Sequence, residues 1–592
     1  MNVYQILRDA LHAHAFSVKE DTPKEKRAKD SGENSLTPSE ADLLRMRALI
    51  GENRTITGEY DPTLSVKCEN GTFVGRKQEA VISFKGIPFA LPPVGERRWK
   101  PPVSVSPGGG VYEAFYFGPS PIQTEWFSEL ASCYKKSEDC LYLNIWKNTA
   151  DATPDKAVMV FIHGGSYGWG GTSDPIYDGF NFIRAHSDVI LVTIAYRTGI
   201  AGFVDFSEVP GGENYQESGN LGLLDQIEAL RWIRRNIRGF GGDPERVTVF
   251  GESAGGGSVS LLPLIPAAKG LFRRVIAESG SVALSYNHED ARNFTAKLLQ
   301  AAHASTVEDL LKLSEAEFAK VNEAVNFYNN FPLRDGIVLP EDPYAAYRAG
   351  AGEEIDMLFG TNADESNYWI RELGGEKIFR SAIPVMFESN LKKISEEDAY
   401  LVEAFMKLQK KEYTWKMTEF YTELLFRIPA VSTAASHADH GGKTYMYYWT
   451  YPSAIGRLGA CHAVELAYVF NNLDETLYTG DNIDAELAKK VQDMWVNFAK
   501  TGDPSILGYE WPEYDHAERK TMFLGSEMKV VSDPLRGQRT LMEPLLHYYF
   551  NGCYSNLDYN VTYVRATGLT IILGLGLLAG LVLLVLKLLH VI

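Results

Sequence analysis

A serine hydroxyl is a weak nucleophile until a base takes its proton and fixed donors hold the oxyanion that forms. Ser253 stands where such help could be supplied. It lies in Gly251-Glu252-Ser253-Ala254-Gly255, a G-x-S-x-G pattern directly after Val247-Thr248-Val249-Phe250. The β-branched and aromatic run reads as a buried strand, and the chain from Gly255 onward reads as a helix start. A serine in so tight a turn needs small neighbours. The turn lifts its hydroxyl above the sheet edge and aims the N–H of Ala254 at whatever the oxygen attacks. A second glycine-rich stretch, His163-Gly164-Gly165-Ser166, follows the apolar run Ala157–Ile162. It reads as an oxyanion loop whose donors are the backbone N–H groups of Gly165 and Ser166, joined by that of Ala254. The chemistry this predicts is acyl transfer through serine.

The elements that must position these residues are legible from the pattern. Ala157–Ile162, Val189–Tyr196, Arg246–Phe250, Arg273–Ser279, Asp356–Gly360 and Thr444–Trp449 are short, apolar and rich in β-formers. Asn220–Ile237 and Ala485–Ala499 have helical spacing. Strands interleaved with helices predict an α/β fold, a mostly parallel central sheet flanked by helices on both faces. Chemistry in such sheets sits beyond the C-terminal strand ends, which is where both glycine-rich stretches fall. No internal repeat is present. With 58 basic against 76 acidic residues the net charge is −18, which argues against a nucleic-acid partner. His437 and His440, with Asp439 between them, lack further residues to complete a metal ligand set, and no cofactor is implied.

Longer segments carry a resemblance. Phe84–Pro102 (FKGIPFALPPVGERRWKPP), Ser137–Trp146 (SEDCLYLNIW), the His163–Ser166 loop, Gly219–Gly255 and Asn497–Ser505 (NFAKTGDPS) make the chain similar to the type-B carboxylesterase and cholinesterase family of α/β-hydrolases, from about Gly71 to Leu524. It looks closer to the bacterial para-nitrobenzyl-esterase-like members than to cholinesterases. The resemblance implies an α/β-hydrolase fold and a triad in the order serine, acid, histidine. Six of the twelve histidines follow residue 365, and His462 in GACHAVELAYVF lies in a segment similar to the family's histidine loop. The acid lies in LFGTNADESNYW, where the residues themselves leave Asp364 and Glu365 equally eligible; the resemblance selects Glu365. Glu252 and Ser279 match family positions that support the site without a chemical step of their own. The implied activity is hydrolysis of small, lipophilic carboxylic esters through an acyl-enzyme. An amidase or acyltransferase would use the same triad. A non-catalytic cholinesterase-like scaffold is disfavoured, because no triad member is missing. The cholinesterases' choline-binding tryptophan falls near Leu130 here, with Trp126 out of register, which argues against choline esters. The partner of Cys140 in the family's first disulfide falls at Pro121, so that bridge is expected to be absent, and Cys133 offers a different partner.

The two ends suggest where the enzyme works. Residues 1–60 read as an extension, charged over 17–36 and then helical in spacing, with no apolar signal segment. Residues 61–550 read as the esterase domain and 551–565 as a linker. Ala566–Leu586 (ATGLTIILGLGLLAGLVLLVL) has no charge and is long enough to cross a hydrocarbon core of roughly 30 Å as a transmembrane helix. Only Lys587–Ile592 follow it, so the expectation is a C-terminal membrane anchor with the catalytic domain in the cytoplasm.

Overall fold

The computed structural model describes residues 51–123, 135–325, 331–372, 375–391, 394–474 and 476–548. The helical spacing after residue 36, Trp126, Leu130, Cys133, the linker 551–565 and the apolar stretch 566–586 lie outside them. Among the described residues no helix is long and apolar enough to cross a membrane.

Among the described residues, fourteen strands form two sheets. In chain order they are β1 (Ser65–Cys68), β2 (Gly71–Val74), β3 (Arg76–Gln78), β4 (Val81–Pro88), β5 (Val111–Glu113), β6 (Tyr142–Asn148), β7 (Lys156–Ile162), β8 (Val189–Ile194), β9 (Gly242–Glu252), β10 (Arg274–Glu278), β11 (Asp356–Asn362), β12 (Thr444–Trp449), β13 (Thr521–Leu524) and β14 (Lys529–Val531). The large sheet has eleven strands in the order β14-β13-β12-β11-β10-β9-β7-β8-β6-β4-β3. Its centre, from β8 through β7 and β9 to β13, is parallel; the pairs β8–β6, β6–β4, β4–β3 and β13–β14 at its two ends are antiparallel. Strands β1, β2 and β5 form a separate small sheet.

Side chains on a strand alternate between faces, and both faces of the parallel centre are apolar. In β7, Val158, Val160 and Ile162 enter one hydrophobic core, while Ala157, Met159 and Phe161 enter the other. The first core is closed by the helices α1 (Leu221–Asn236) and α2 (Ala254–Leu261) through Leu223, Ile227, Ile233 and Val259. The second is closed by a C-terminal helix, here α5 (Ala485–Thr501), through Val491, Met494, Trp495 and Phe498. Between them in the chain lie α3 (Tyr413–Thr422) and α4 (Ile428–Asp439). Phe161 is 1% exposed and packs between Phe250 and Phe470, with ring centroids 5.0 and 4.9 Å away. Burying one such ring contributes about 1.5–3 kcal/mol.

All six strands and both helices expected from the pattern are present, with ends moved by a few residues. The antiparallel end of the sheet was not expected. β4 carries Lys85 at a core-facing position, where its ammonium pairs with Asp178 at 2.9 Å and sits 4.3 Å from the Phe117 ring centre. A buried lysine with a fixed partner looks, in the sequence, like a break in the strand. Cys68 and Cys140 are free thiols, Cys461 is buried like them, and burial drives the Cys140 thiol well above its ordinary range.

The parallel centre is drawn tight around the serine turn. A Cβ on Gly255 would lie 1.9 Å from Ile162 O, a backbone atom that cannot yield. Gly255→Ala is therefore expected to lower the melting temperature by several degrees or to abolish folding, the usual outcome of overpacking by more than about 2 kcal/mol. Gly58→Ala, with no atom within 4 Å of the new methyl, is expected to leave it unchanged. Thermal unfolding followed by circular dichroism measures both.

Candidate active site

Strand β9 ends at Glu252 and α2 begins at Ala254, so Ser253 alone makes the turn. Its backbone has φ 58° and ψ −120°, a conformation that costs a non-glycine residue about 1–3 kcal/mol. Two backbone hydrogen bonds hold it: Ser253 N–H donates to Glu278 O at 2.9 Å, and Gly257 N–H donates to Ser253 O at 2.8 Å. Gly280 leaves room for this turn, since a Cβ there would lie 2.3 Å from Ser253 O. The serine is half-buried, and among the described residues its hydroxyl makes no hydrogen bond.

The loop after β7 runs beside it. A Cβ on Gly164 would lie 3.0 Å from Ser253 Cβ, so only glycine lets the two segments approach. Gly165, Ser166 and Tyr167 all have positive φ, 103°, 49° and 57°. The loop is tied from several sides. Gly165 O accepts from the N–H groups of Gly168 and Trp169 at 2.9 and 3.0 Å. The Gln123 side-chain amide bonds both the N–H and the C=O of Gly170, and Tyr196 O–H donates to His163 O at 2.9 Å. Among the described residues the N–H groups of Gly165, Ser166 and Ala254 have no protein acceptor. They are three donors without a partner beside one free hydroxyl.

The adjacent carboxylates after β11 diverge. Glu365 is fully buried, and its Oε2 lies 2.7 Å from His462 Nδ1. Its Oε1 accepts from Asn362 N–H at 2.7 Å, so both oxygens are fixed. Asp364 turns to the histidine loop, where Oδ2 accepts from Ala460 N–H at 3.1 Å while its own N–H donates to Ala460 O at 2.9 Å. One acid thus meets the imidazole and its neighbour ties down the loop that carries it. His462 is 8% exposed. Its other nitrogen, Nε2, lies 3.1 Å from Glu252 Oε1 rather than in a hydrogen bond with Ser253. The imidazole ring lies against Phe426 and Tyr368, with centroids 4.8 and 5.7 Å away.

The site holds more carboxylates than the motifs suggested. Glu465 is 1% exposed and accepts from Asn362 Nδ2 at 2.5 Å and from Ser279 Oγ at 3.5 Å. Glu278 is buried with Trp495 Nε1 donating to it at 2.7 Å. Neither residue was singled out from the sequence, where a lone glutamate three residues after a histidine carries no signal. Crowding of this kind sets the charges. Burial raises Glu252 to about 8, against the pull of His462. Burial, then the Glu365 charge, raises Glu465 to about 7. Burial pulls the imidazolium of His462 down, but Glu252, Glu365 and Glu465 outweigh it and hold the group up at about 9. Among the described residues no cluster of side chains suits a metal ion, and His437 instead bonds Thr444 Oγ1 at 2.7 Å inside the fold.

Comparison with known proteins shows the family. Residues 62–542 match the carboxylesterase family. Para-nitrobenzyl esterase of Bacillus subtilis (strain 168) is 36% identical over 506 residues, which cover 81% of this chain and 98% of that protein. Carboxylesterase 1D of Mus musculus is 34% identical over 492 residues, covering 74% and 85%. Among solved structures, a thermophilic PNB esterase superposes with a TM-score of 0.71 at 33% identity, covering 81% of this chain and 99% of the other. The fold is therefore the α/β-hydrolase fold, and the chain belongs to the carboxylesterase family as a carboxylic ester hydrolase.

Proposed function

We propose that the chain is a serine carboxylesterase in which Ser253, His462 and Glu365 form the catalytic triad and Gly165, Ser166 and Ala254 supply the oxyanion hole. The observation that carries this reading is the 2.7 Å contact of His462 Nδ1 with the buried Glu365 carboxylate, beside a serine held in a strained turn. His462 Nε2 exchanges Glu252 for the Ser253 hydroxyl and takes its proton as Oγ attacks the ester carbonyl. Glu365 fixes the tautomer and stabilises the imidazolium. The three unpartnered N–H groups receive the carbonyl oxygen as it gains charge, a contribution of about 3 kcal/mol for one such donor. The imidazolium gives its proton to the departing alcohol, and water then repeats the sequence on the acyl-enzyme. Glu252 and Ser279 support the site without taking part in a bond change. No step asks for a metal or an organic cofactor.

The same reading extends to the ends of the chain. Residues 61–550 are the esterase domain and 551–565 a linker. The uncharged stretch Ala566–Leu586 tethers the enzyme to a membrane, with the catalytic domain on the cytoplasmic side. Tethering would favour lipophilic esters that partition into the bilayer.

Three outcomes follow. Ser253→Ala is expected to reduce hydrolysis of para-nitrophenyl butyrate by at least about 10⁴-fold and to abolish labelling by a fluorophosphonate. A matched para-nitroanilide substrate would separate esterase from amidase. In pH profiles, kcat/KM should rise as His462 loses its proton, with a midpoint above that of an ordinary imidazole because neighbouring carboxylates favour the charged form. Glu252→Gln removes one of them and should move the midpoint down by about one pH unit. An unmoved midpoint would mean that another group controls the profile. Finally, the full chain should stay with liposomes through an alkaline carbonate wash, whereas a form lacking 566–586 should be released.

A further inference from the structure

The catalytic reading leaves one costly feature near His462 unexplained. The helical segment from α3 to α4 does not run evenly: Glu423–Arg427 forms a π-helical turn. Pro429, just inside α4, explains where the register slips, because it has no N–H to offer Leu425 O four residues earlier. Within this turn Glu423 and Arg427 form a bidentate ion pair, Nε–Oε1 2.7 Å and Nη2–Oε2 2.5 Å. Their side chains are 0% and 3% exposed. A buried ion pair is not an efficient source of stability, since an apolar replacement of similar volume often does as well or better.

What the turn touches explains the pair better. Phe426 lies between the two charged residues in sequence, is half-buried, and has its ring 4.8 Å from the His462 imidazole. Thr422, immediately before the turn, accepts through Oγ1 from Ser366 N–H at 3.1 Å, next to Glu365 in the chain. Arg427 also reaches Pro534 O at 3.5 Å, tying the turn to the C-terminal part of the domain. The turn therefore covers the imidazole, and the residue just before it holds the backbone that carries the acid. Irregular π turns of this kind are frequent at functional sites.

We infer that the buried Glu423–Arg427 pair is a positioning device: it holds the π turn so that Phe426 covers His462 and Thr422 fixes the Glu365 segment, keeping the Nδ1–H proton on its short bond to Glu365. This rests on the triad reading above and names residues that act through His462 without touching the substrate. The fork geometry of arginine suits such a role, because two parallel hydrogen bonds fix orientation as well as distance.

The test replaces the pair by apolar residues of similar size, Glu423→Leu/Arg427→Met, in the full chain. Two quantities are read: kcat and KM on para-nitrophenyl butyrate, and the downfield proton resonance of the imidazole Nδ1–H, identified by its loss in His462→Ala. The expected result is an unchanged melting temperature, kcat lower by about tenfold with KM altered less than twofold, and a broadened or lost Nδ1–H resonance. A folded variant with wild-type kcat and an intact resonance would overturn the inference. Should the double variant fail to fold, Phe426→Ala replaces it, with the same loss expected and wild-type kcat and resonance again overturning it. The resonance needs no turnover, so it judges the positioning role separately from the triad: retained hydrolysis in Ser253→Ala would sink the triad reading alone.

Discussion

The structure depends on the close approach of two parallel strands to one turn of backbone. At Gly255 the chain leaving β9 passes so near Ile162 O, at the end of β7, that no side chain fits between them. This contact brings the serine turn and the glycine loop onto the same side of the sheet, at adjacent strand ends. The hydrogen bond from Ser253 N–H to Glu278 O then ties the turn to β10, and the strained φ of Ser253 follows from having to satisfy both neighbours. The cost of the strain is met by the two apolar cores that clamp β7, β9 and β10 from opposite faces. A flexible loop could present the same residues but could not keep three N–H groups unpartnered.

The second organising fact is the charge held beneath the histidine. Glu252, Glu365 and Glu465 are nearly or fully buried around one imidazole, and Glu278 is buried beside Glu252 and Glu465. Burial, and after it the charge of neighbouring carboxylates, pushes Glu252, Glu278 and Glu465 upward. Glu365 is set apart by its bonding: one oxygen faces Asn362 N–H and the other the imidazole. Both of its oxygens are thereby held in place, which fixes its orientation against the imidazole. The site thus has one fixed acid and a surround of carboxyls that favour the imidazolium, the state through which acyl transfer passes.

Much of this was legible from local pattern. The strand before Ser253 and the strand before His163 are uniform apolar runs, and the glycines between strand and helix admit few other turns. The parallel centre of the sheet is readable because both its faces are buried, whereas the antiparallel end is not, because Lys85 and Asn144 occupy buried strand positions and depend on distant partners, Asp178 and Thr193. Spacing could not choose between Asp364 and Glu365, since two neighbouring carboxylates differ only in where a folded chain sends them; the resemblance to a family chose Glu365, and the fold sends Glu365 to the imidazole and Asp364 to Ala460 N–H. Glu465 and the Glu423–Arg427 pair were invisible for a related reason. Their meaning lies in contacts far away in the chain, 103 residues for Glu465 with Asn362 and 107 for Arg427 with Pro534, or in a helical irregularity that appears only once Pro429 is set in its helix. Their residue types are unremarkable on a solvated helix.

The most direct test of the account is to mix the protein rapidly with para-nitrophenyl butyrate, quench in acid and locate the butyryl group by peptide mass spectrometry. The account predicts a burst of up to one equivalent of para-nitrophenolate and a butyryl group on the peptide bearing Ser253, at the serine oxygen. Steady turnover with no acyl group on Ser253, or with the group on another residue, would contradict it.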